Sequence, residues 1–310
     1  MIAISASLTR LLHRLRRVAT RSDPGEASFS VEGLTFTDVT ALGKSGAQSK
    51  AGQLTWRANL EGNPVKISEY PSEGTARLLH VVSADPGLTR YFPRVVIRLG
   101  RHVVADWIEG KAVTALDVAR DYGMLAEIAS IQAQIHAFRV PAELRSTSPS
   151  YRMILEARFT KYAGILPLEC FGDRVRVSLD AAERRLSPVL SHPDLTPANL
   201  IRDAGTGHLM VVDNELIASH RFPHVDLLNT YRALGADDDG DLASRYLAAW
   251  RTVGGDPRPL VSEAEAYEAL WALRVVGSSL QRGLLAEALP TAEAYLAGRS
   301  PAHPLIRGSS

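Results

Sequence analysis

Cysteine occurs once in the 310 residues, at Cys170, so an internal disulfide is excluded and a reducing compartment is the natural setting. Leu168 and Phe171 beside it suggest that this thiol serves as a small buried hydrophobe. An excess of either charge is also missing. Thirty-five Lys and Arg against 34 Asp and Glu leave a net +1, which offers no electrostatic footprint for a nucleic acid or a polyanionic partner. Nor does any apolar run approach the roughly 18 residues of a membrane span, and a cytoplasmic protein is expected. What is present is 45% hydrophobic content, enough over this length to bury one large core or two lobes.

The first residues differ from the rest. Leu8, Leu11, Leu12, Leu15 and Val18 recur at helical spacing while Arg10, Arg14, Arg17 and Arg21 form a basic face. Residues 1–28 therefore read as a basic amphipathic helix followed by a linker, with Ser22, Pro24 and Gly25 in the linker. Residues 7–21 can lie peripherally on an anionic membrane surface or meet a partner; a helix packed on the body or a frayed terminus is the plainer reading. The long apolar core and small-residue cleavage site of a secretory signal are absent.

Chemistry enters between Ser191 and Glu215, which read S-H-P-D-L-T-P-A-N-L-I-R-D-A-G-T-G-H-L-M-V-V-D-N-E. Moving a phosphoryl group from a nucleotide requires a carboxylate beside the acceptor hydroxyl and oxygen ligands for the magnesium that neutralises the phosphates. Asp194 suits the first role. Asn199 lies five residues later with Pro197 between them, so a tight loop can return its amide to the metal that Asp213 also holds. Alone, an Asp in a Pro-containing loop is as readily a turn or cap residue. The order of parts decides: a loop with H-x-D-x-x-x-x-N, a strand, a Gly205-Thr206-Gly207 turn, and a second strand, Leu209 to Val212, ending in an acid.

His192-Pro193-Asp194 with Asn199, and Val212-Asp213-Asn214-Glu215, resemble the aminoglycoside phosphotransferase and choline kinase family, whose usual pattern is H-G-D-x-x-x-x-N followed by apolar-apolar-D-W/F-E. The departures are Pro193, which fixes one φ before the base, and Asn214, which replaces an aromatic packing residue. The resemblance covers roughly residues 30 to 285 and implies an α+β, bilobed protein-kinase-like fold. A small antiparallel-sheet N-lobe with one helix would span 29–104, a hinge 105–110, and a larger, mostly helical C-lobe 111–310, carrying the catalytic loop and the metal-binding strand end. It also implies magnesium with ATP, or GTP, as donor and a small hydroxyl-bearing acceptor.

Local pattern supplies the remaining parts. Short alternating strands are expected at Leu34 to Val39, Leu54 to Ala58 and Val65 to Ile67, the last two joined through Glu61-Gly62-Asn63-Pro64. The Gly43 to Ser49 loop, with Gly43 and Ser45, can cover nucleotide phosphates, and Lys66 is the cation that a kinase-like fold places against them. A helix from Ser72, as N-cap, to Val82 offers Glu73 as the partner of Lys66, with Glu69 as the alternative. Pro93 to Arg98 and Arg101 to Ile108 read as strands around Leu99-Gly100, and V-V-A-D-W-I-E-G resembles the family's hinge. There Asp106, Trp107 and Ile108 would present backbone groups to the base, with Val104 and Trp107 as apolar cover.

Thr114 with Asp117 opens a helix through Ile128, Ile131, Ile135 and Phe138, and Ser262 with Glu265 forms a capping box before Tyr267 to Gln281. His136 reads as a core or surface-satisfied residue. His192 is expected as scaffold for the loop, and Asp226 either as a support of that loop or as the N-cap of the helix beginning V-D-L-L-N-T-Y-R. The spacing of His192, Asp194, His208, His220 and His224 matches no compact zinc site. From Asp213 to Asp226 there are 13 positions, too few for the activation segment of a protein kinase, which favours a small acceptor such as an aminoglycoside, amino alcohol or sugar. Asp237, Asp238, Asp239 and Asp241 read as a solvated loop or as the lining of a cationic-substrate pocket. A membrane-associated kinase of a lipid-linked sugar and a nucleotide-binding pseudokinase or adaptor stand as rival readings.

Overall fold

In the computed structural model the described residues are 28–31, 33–42, 55–145, 150–162, 164–234, 240–299 and 303–307. The amphipathic segment, its linker, the loop with Gly43 and Ser45, and Asp237 to Asp239 lie outside them. Two compact units form. One comprises the described residues up to Lys111 together with Ile201–Glu215, the other Ala112–Leu200 together with the described residues from Leu216 onward.

The first unit opens with β1 (Phe29–Val31), β2 (Leu34–Ala41), β3 (Thr55–Leu60), β4 (Asn63–Glu69), α1 (Glu73–Ala84), β5 (Val95–Leu99) and β6 (His102–Asp106), leading into β7 (Gly110–Ala112). Six of these described strands form an antiparallel sheet in the order β1-β2-β3-β4-β6-β5. Period-two burial drives the pairing. Trp56, Ala58 and Leu60 of β3 point to one face, and the register sets Trp56 against Ile67 and Ala58 against Val65. Phe36, Val39, Leu99 and Val104 complete that core. The β3–β4 turn is only two residues, Glu61 and Gly62, both with positive φ (51° and 82°), the geometry that matches strand twist in a tight hairpin. Asn63 and Pro64, expected in the turn, therefore belong to β4. Helix α1 starts where Ser72 accepts a hydrogen bond from Thr75 N at 3.0 Å, and it buries Leu78, Leu79 and Val82.

The chain continues through α2 (Ala115–Arg120), α3 (Tyr122–Ala137), α4 (Tyr151–Phe159), α5 (Leu166–Glu183), β8 (Val189–Ser191), β9 (Leu200–Asp203), β10 (Leu209–Val211) and β11 (Ala218–His220). It ends in α6 (Val225–Ala233), α7 (Gly240–Thr252), α8 (Arg258–Ser262), α9 (Ala264–Gln281), α10 (Leu285–Leu296) and α11 (Pro304–Arg307). Strands β10, β9 and β7 form a second small sheet. A Cβ on Gly110 would collide with the carbonyl of Arg202, so glycine is required where β7 meets β9. Ala204 N donates to Glu109 O at 2.8 Å and Val211 N to Tyr91 O at 2.8 Å. These bonds explain why 201–215, expected in the C-terminal lobe, groups with the first unit.

In the second unit α9 packs on α4, α5 and α10, and α3 packs on α7 and β8. Three local expectations are corrected here. The helix opened by the Thr114 and Asp117 capping box stops at Asp121, whose side chain accepts from Met124 N at 3.2 Å and starts α3 as a separate helix. Ser262 instead ends α8, and the N-cap of α9 is Glu263, whose carboxylate is taken by Arg185; Glu265 meets Ser178, so no capping box forms there. Cys170 is exposed, because Leu168, Phe171 and Val175 occupy the buried stripe of α5 and the thiol lies off it.

Candidate active site

The loop after β8 carries the acid of the H-x-D segment. Its base is fixed by the β8–β11 ladder, which pairs Ser191 with Ala218. His192 is fully buried beneath it, and Leu195 N donates to His192 O at 2.9 Å, turning the chain. A single 3-10 turn, Pro197–Asn199, then brings Asn199 back: its Nδ2 donates to Asp194 O at 2.7 Å and to Asp194 Oδ2 at 3.0 Å. Asp194 and Asn199 are thus in direct contact.

Helix α6 clamps this loop with side chains at three positions of one face. Asn229 Nδ2 donates to Pro193 O at 2.5 Å, and Thr230 Oγ1 donates to Leu195 O. Asp226, wholly buried, accepts from Ser191 Oγ at 3.1 Å and bonds His136 Nε2 at 2.8 Å through Oδ2, while Oδ1 accepts from Leu227 N. The N-cap position of α6 belongs to His224, so Asp226 does not cap the helix. Gln132 Nε2 of α3 in turn donates to Thr230 Oγ1 at 3.0 Å. Asn229, Thr230, Ser191 and Gln132 were not singled out as site residues from the sequence. For Asn229 and Thr230 the signal was polar residues at i, i+3 and i+4 in V-D-L-L-N-T-Y-R, which differ from the apolar stripe of an ordinary buried helix; Ser191 and Gln132 lie outside that segment.

A cleft in the first unit is lined by Lys66, Tyr70, Trp107, Ile108, Val212 and Asn214 among others. Lys66 Nζ donates to Val212 O at 2.7 Å, fixing the ammonium at the strand end that Asp213 follows. Burial pushes its pKa below the usual lysine value, and the charges of Asp213 and Glu215 oppose that fall. Glu73 is not its partner. Glu73 pairs with Arg98 at 3.1 Å, because β5 places that arginine beside the first turn of α1, and Glu69, the alternative, is taken by Arg101. The acids whose fields act on Lys66 are Asp213 and Glu215. The same two charges, after burial, raise the Tyr70 phenol and keep it protonated.

The residues expected to meet the base are already partly engaged. Asp106 N donates to Arg94 O at 3.0 Å and Trp107 N to Pro64 O at 3.1 Å, while the Asp106 carboxylate pairs with Arg94. Of the three, only Ile108 has its amide outside these backbone bonds among the described residues. Val104 points into the sheet core, so the cleft wall is made by Val103 and Ala105 instead, as strand alternation requires. Trp107 lies under Arg57, whose guanidinium carbon is 4.6 Å from the ring centroid. Asn214, where the family pattern has an aromatic, donates from Nδ2 to Val211 O at 3.0 Å, and its Oδ1 is buried in the cleft wall with no hydrogen-bond partner.

Comparison with known proteins gives the class and then the family. The model of a family described as a phosphotransferase enzyme family, APH, matches residues 78–291. The chain belongs to that family and is a phosphotransferase. Solved structures with the same fold include an ethanolamine kinase of Plasmodium vivax (13% identical, covering 83% of this chain and 81% of that one, TM-score 0.54). A choline/ethanolamine kinase family protein of Mesorhizobium loti (15%, 97% and 98%, 0.54) and the ADP-bound aminoglycoside phosphotransferase APH(2'')-Ib (17%, 82% and 93%, 0.56) share it too. A search of curated proteins by sequence finds no match. An antiparallel sheet toward the N-terminus and helices toward the C-terminus are common to this fold, and no helix among the described residues is long and apolar enough to cross a membrane.

Proposed function

We propose that the protein transfers the γ-phosphoryl group of ATP, as its magnesium complex, to a hydroxyl of a small acceptor. The observation that carries this reading is the bonding of Asn199 to Asp194 within a loop held at Pro193 and Leu195 by α6. A carboxylate so fixed can accept the acceptor's proton as its oxygen attacks, and positioning of this kind supplies much of the rate in phosphoryl transfer. Lys66, anchored on Val212 O, is the cation for the α and β phosphates, and Ile108 offers the base its amide. Kanamycin, spectinomycin and ADP or GDP appear in complexes of proteins with this fold, which supports a nucleotide donor and a small acceptor here.

Asn199 in the second unit and Asp213 in the first each carry an oxygen donor of the kind magnesium takes. Asn199 spends Nδ2 on Asp194 and keeps Oδ1 as a ligand oxygen, and Asp213 offers a carboxylate. Among the described residues no cluster of three His, Cys, Asp or Glu side chains can hold a metal. An amide oxygen and a carboxylate are donors of the kind taken by an ion that retains much of its hydration. When bound, it would neutralise charge on the transferring phosphates. The test is the shift in melting temperature on adding ATP with and without magnesium, in the native chain and in Asp213→Asn. A magnesium-dependent rise that the substitution abolishes is expected. Absence of any rise at saturating nucleotide, or an equal rise in both proteins, overturns the proposal.

A further inference from the structure

Beside the Asp194 loop, the second unit presents guanidinium groups. Arg274 of α9 is half-buried; its Nε donates to the Tyr151 hydroxyl at 3.2 Å and its guanidinium carbon lies 5.5 Å from the centroid of Trp271. No carboxylate pairs with Arg274 among the described residues, and its two Nη groups make no hydrogen bond there. The arginine is tied to the reacting loop. Tyr151, itself buried, takes Asn229 Nδ2 at 3.5 Å, and that nitrogen donates to Pro193 O, the carbonyl immediately before Asp194.

A second guanidinium, that of Arg232 on α6, lies 5.6 Å from the Trp271 centroid, and the His303 ring packs edge-on at 4.6 Å. His303 is pushed down to about 4 by burial first, and the positive charges of Arg232 and Arg274 act in the same direction. An indole ring can serve as a platform for an ammonium ligand, but here two guanidiniums already use it. A further cation would meet their repulsion. A planar fork with unengaged Nη groups, held in orientation by a tyrosine, matches instead the two oxygens of a carboxylate or the face of a phosphate.

We propose that Arg274, supported by Arg232 over Trp271, forms an oxyanion subsite, so that the acceptor phosphorylated at this loop carries a carboxylate or phosphate group besides its hydroxyl. The proposal rests on the phosphotransferase reading of Asp194 for its link to an acceptor, but the subsite can be measured without turnover. The probe is inorganic phosphate, titrated by calorimetry and thermal shift at constant ionic strength against chloride. The nucleotide cleft is first saturated with a non-hydrolysable ATP analogue and magnesium.

Phosphate is expected to bind and raise the melting temperature, at least tenfold more weakly in Arg274→Gln, while the analogue's own stabilisation is the same in both. Acetate in place of phosphate distinguishes the two oxyanions, and a response to either one supports the subsite. Arg274→Lys keeps the charge and loses the fork. It is expected to fall between the two, and it carries the test if the glutamine variant does not fold. No response to either anion, an undiminished response in the variants, or stabilisation by choline chloride in their place overturns the subsite. Failure of the analogue to bind would instead count against the nucleotide reading and leave the anion titration standing.

Discussion

Lys66 sits where folding works against its own charge. Burial lowers its pKa, and the fields of Asp213 and Glu215 and a bond to Val212 O offset part of the loss of water. A folded pKa below the unfolded value means that the charged form is disfavoured on folding, and at neutral pH the lysine is charged in the unfolded chain, so that penalty is present. Lys66→Met keeps the volume and removes the charge. Urea unfolding of the nucleotide-free variant is expected to show stability unchanged or higher by about 1 kcal/mol, while the response to magnesium and ATP disappears. A loss of stability in the free protein would show that the ammonium is there for the fold rather than for the phosphates. Asp106 and Arg94 make the opposite case: both are exposed, and a surface pair of this kind contributes little.

At the scale of elements, α6 is the part that converts a flexible loop into a fixed one. The Thr230 hydroxyl, with one proton to give, lies within bonding distance of both Leu195 O and Asp226 O and accepts from Gln132 Nε2. Thr230→Val preserves shape and deletes these bonds, leaving the Leu195 carbonyl and the Gln132 amide buried without that partner. A cost of about 1–3 kcal/mol is expected, concentrated locally: amide hydrogen exchange at residues 195–199 should quicken by tenfold or more relative to that in β3 and β4. Uniform acceleration across the chain would mean that the threonine supports the whole second unit and not the loop. The partners of α6 lie far off in sequence, Gln132 at 98 residues and His136 at 90. Its polar stripe is visible in the sequence, but what it faces is not.

Across the whole molecule, what could be read from sequence was what repeats or what chemistry restricts to few residue types. The alternation of β3 and β4, the Ser72 cap, and the five-residue spacing that returns Asn199 to Asp194 all belong to that kind. What escaped were pairings chosen by long-range packing: Arg98 with Glu73, the transfer of 201–215 to the first unit through β7 and β9, and the exposed side of α5 that carries Cys170. Histidines show the same divide. His220, His224 and His303 look like polar or metal-binding residues in a list, yet each is nearly fully buried in the second unit and pushed by burial down to about 4. Each therefore resists protonation when folded and takes up a proton readily once unfolded, from an ordinary value of 6.5. Their contribution to stability is complete above pH 6.5 and is lost as pH falls toward 4, on the order of 3 kcal/mol for each fully buried ring. Asp203, Asp256 and Glu263, held below the usual carboxylate range by hydrogen bonds from Thr206, Arg258 and Arg185, act in the same direction at lower pH. Urea midpoints measured from pH 7.5 to 4.5 should therefore fall steeply below 6.5, with a slope approaching three protons taken up on unfolding. In His303→Phe, which retains an aromatic ring against Trp271, the slope should drop by about one proton. A flat profile between pH 6.5 and 5 in the native protein would mean that these rings are hydrated in solution and that the second unit is looser around α6 and α11 than its packing indicates.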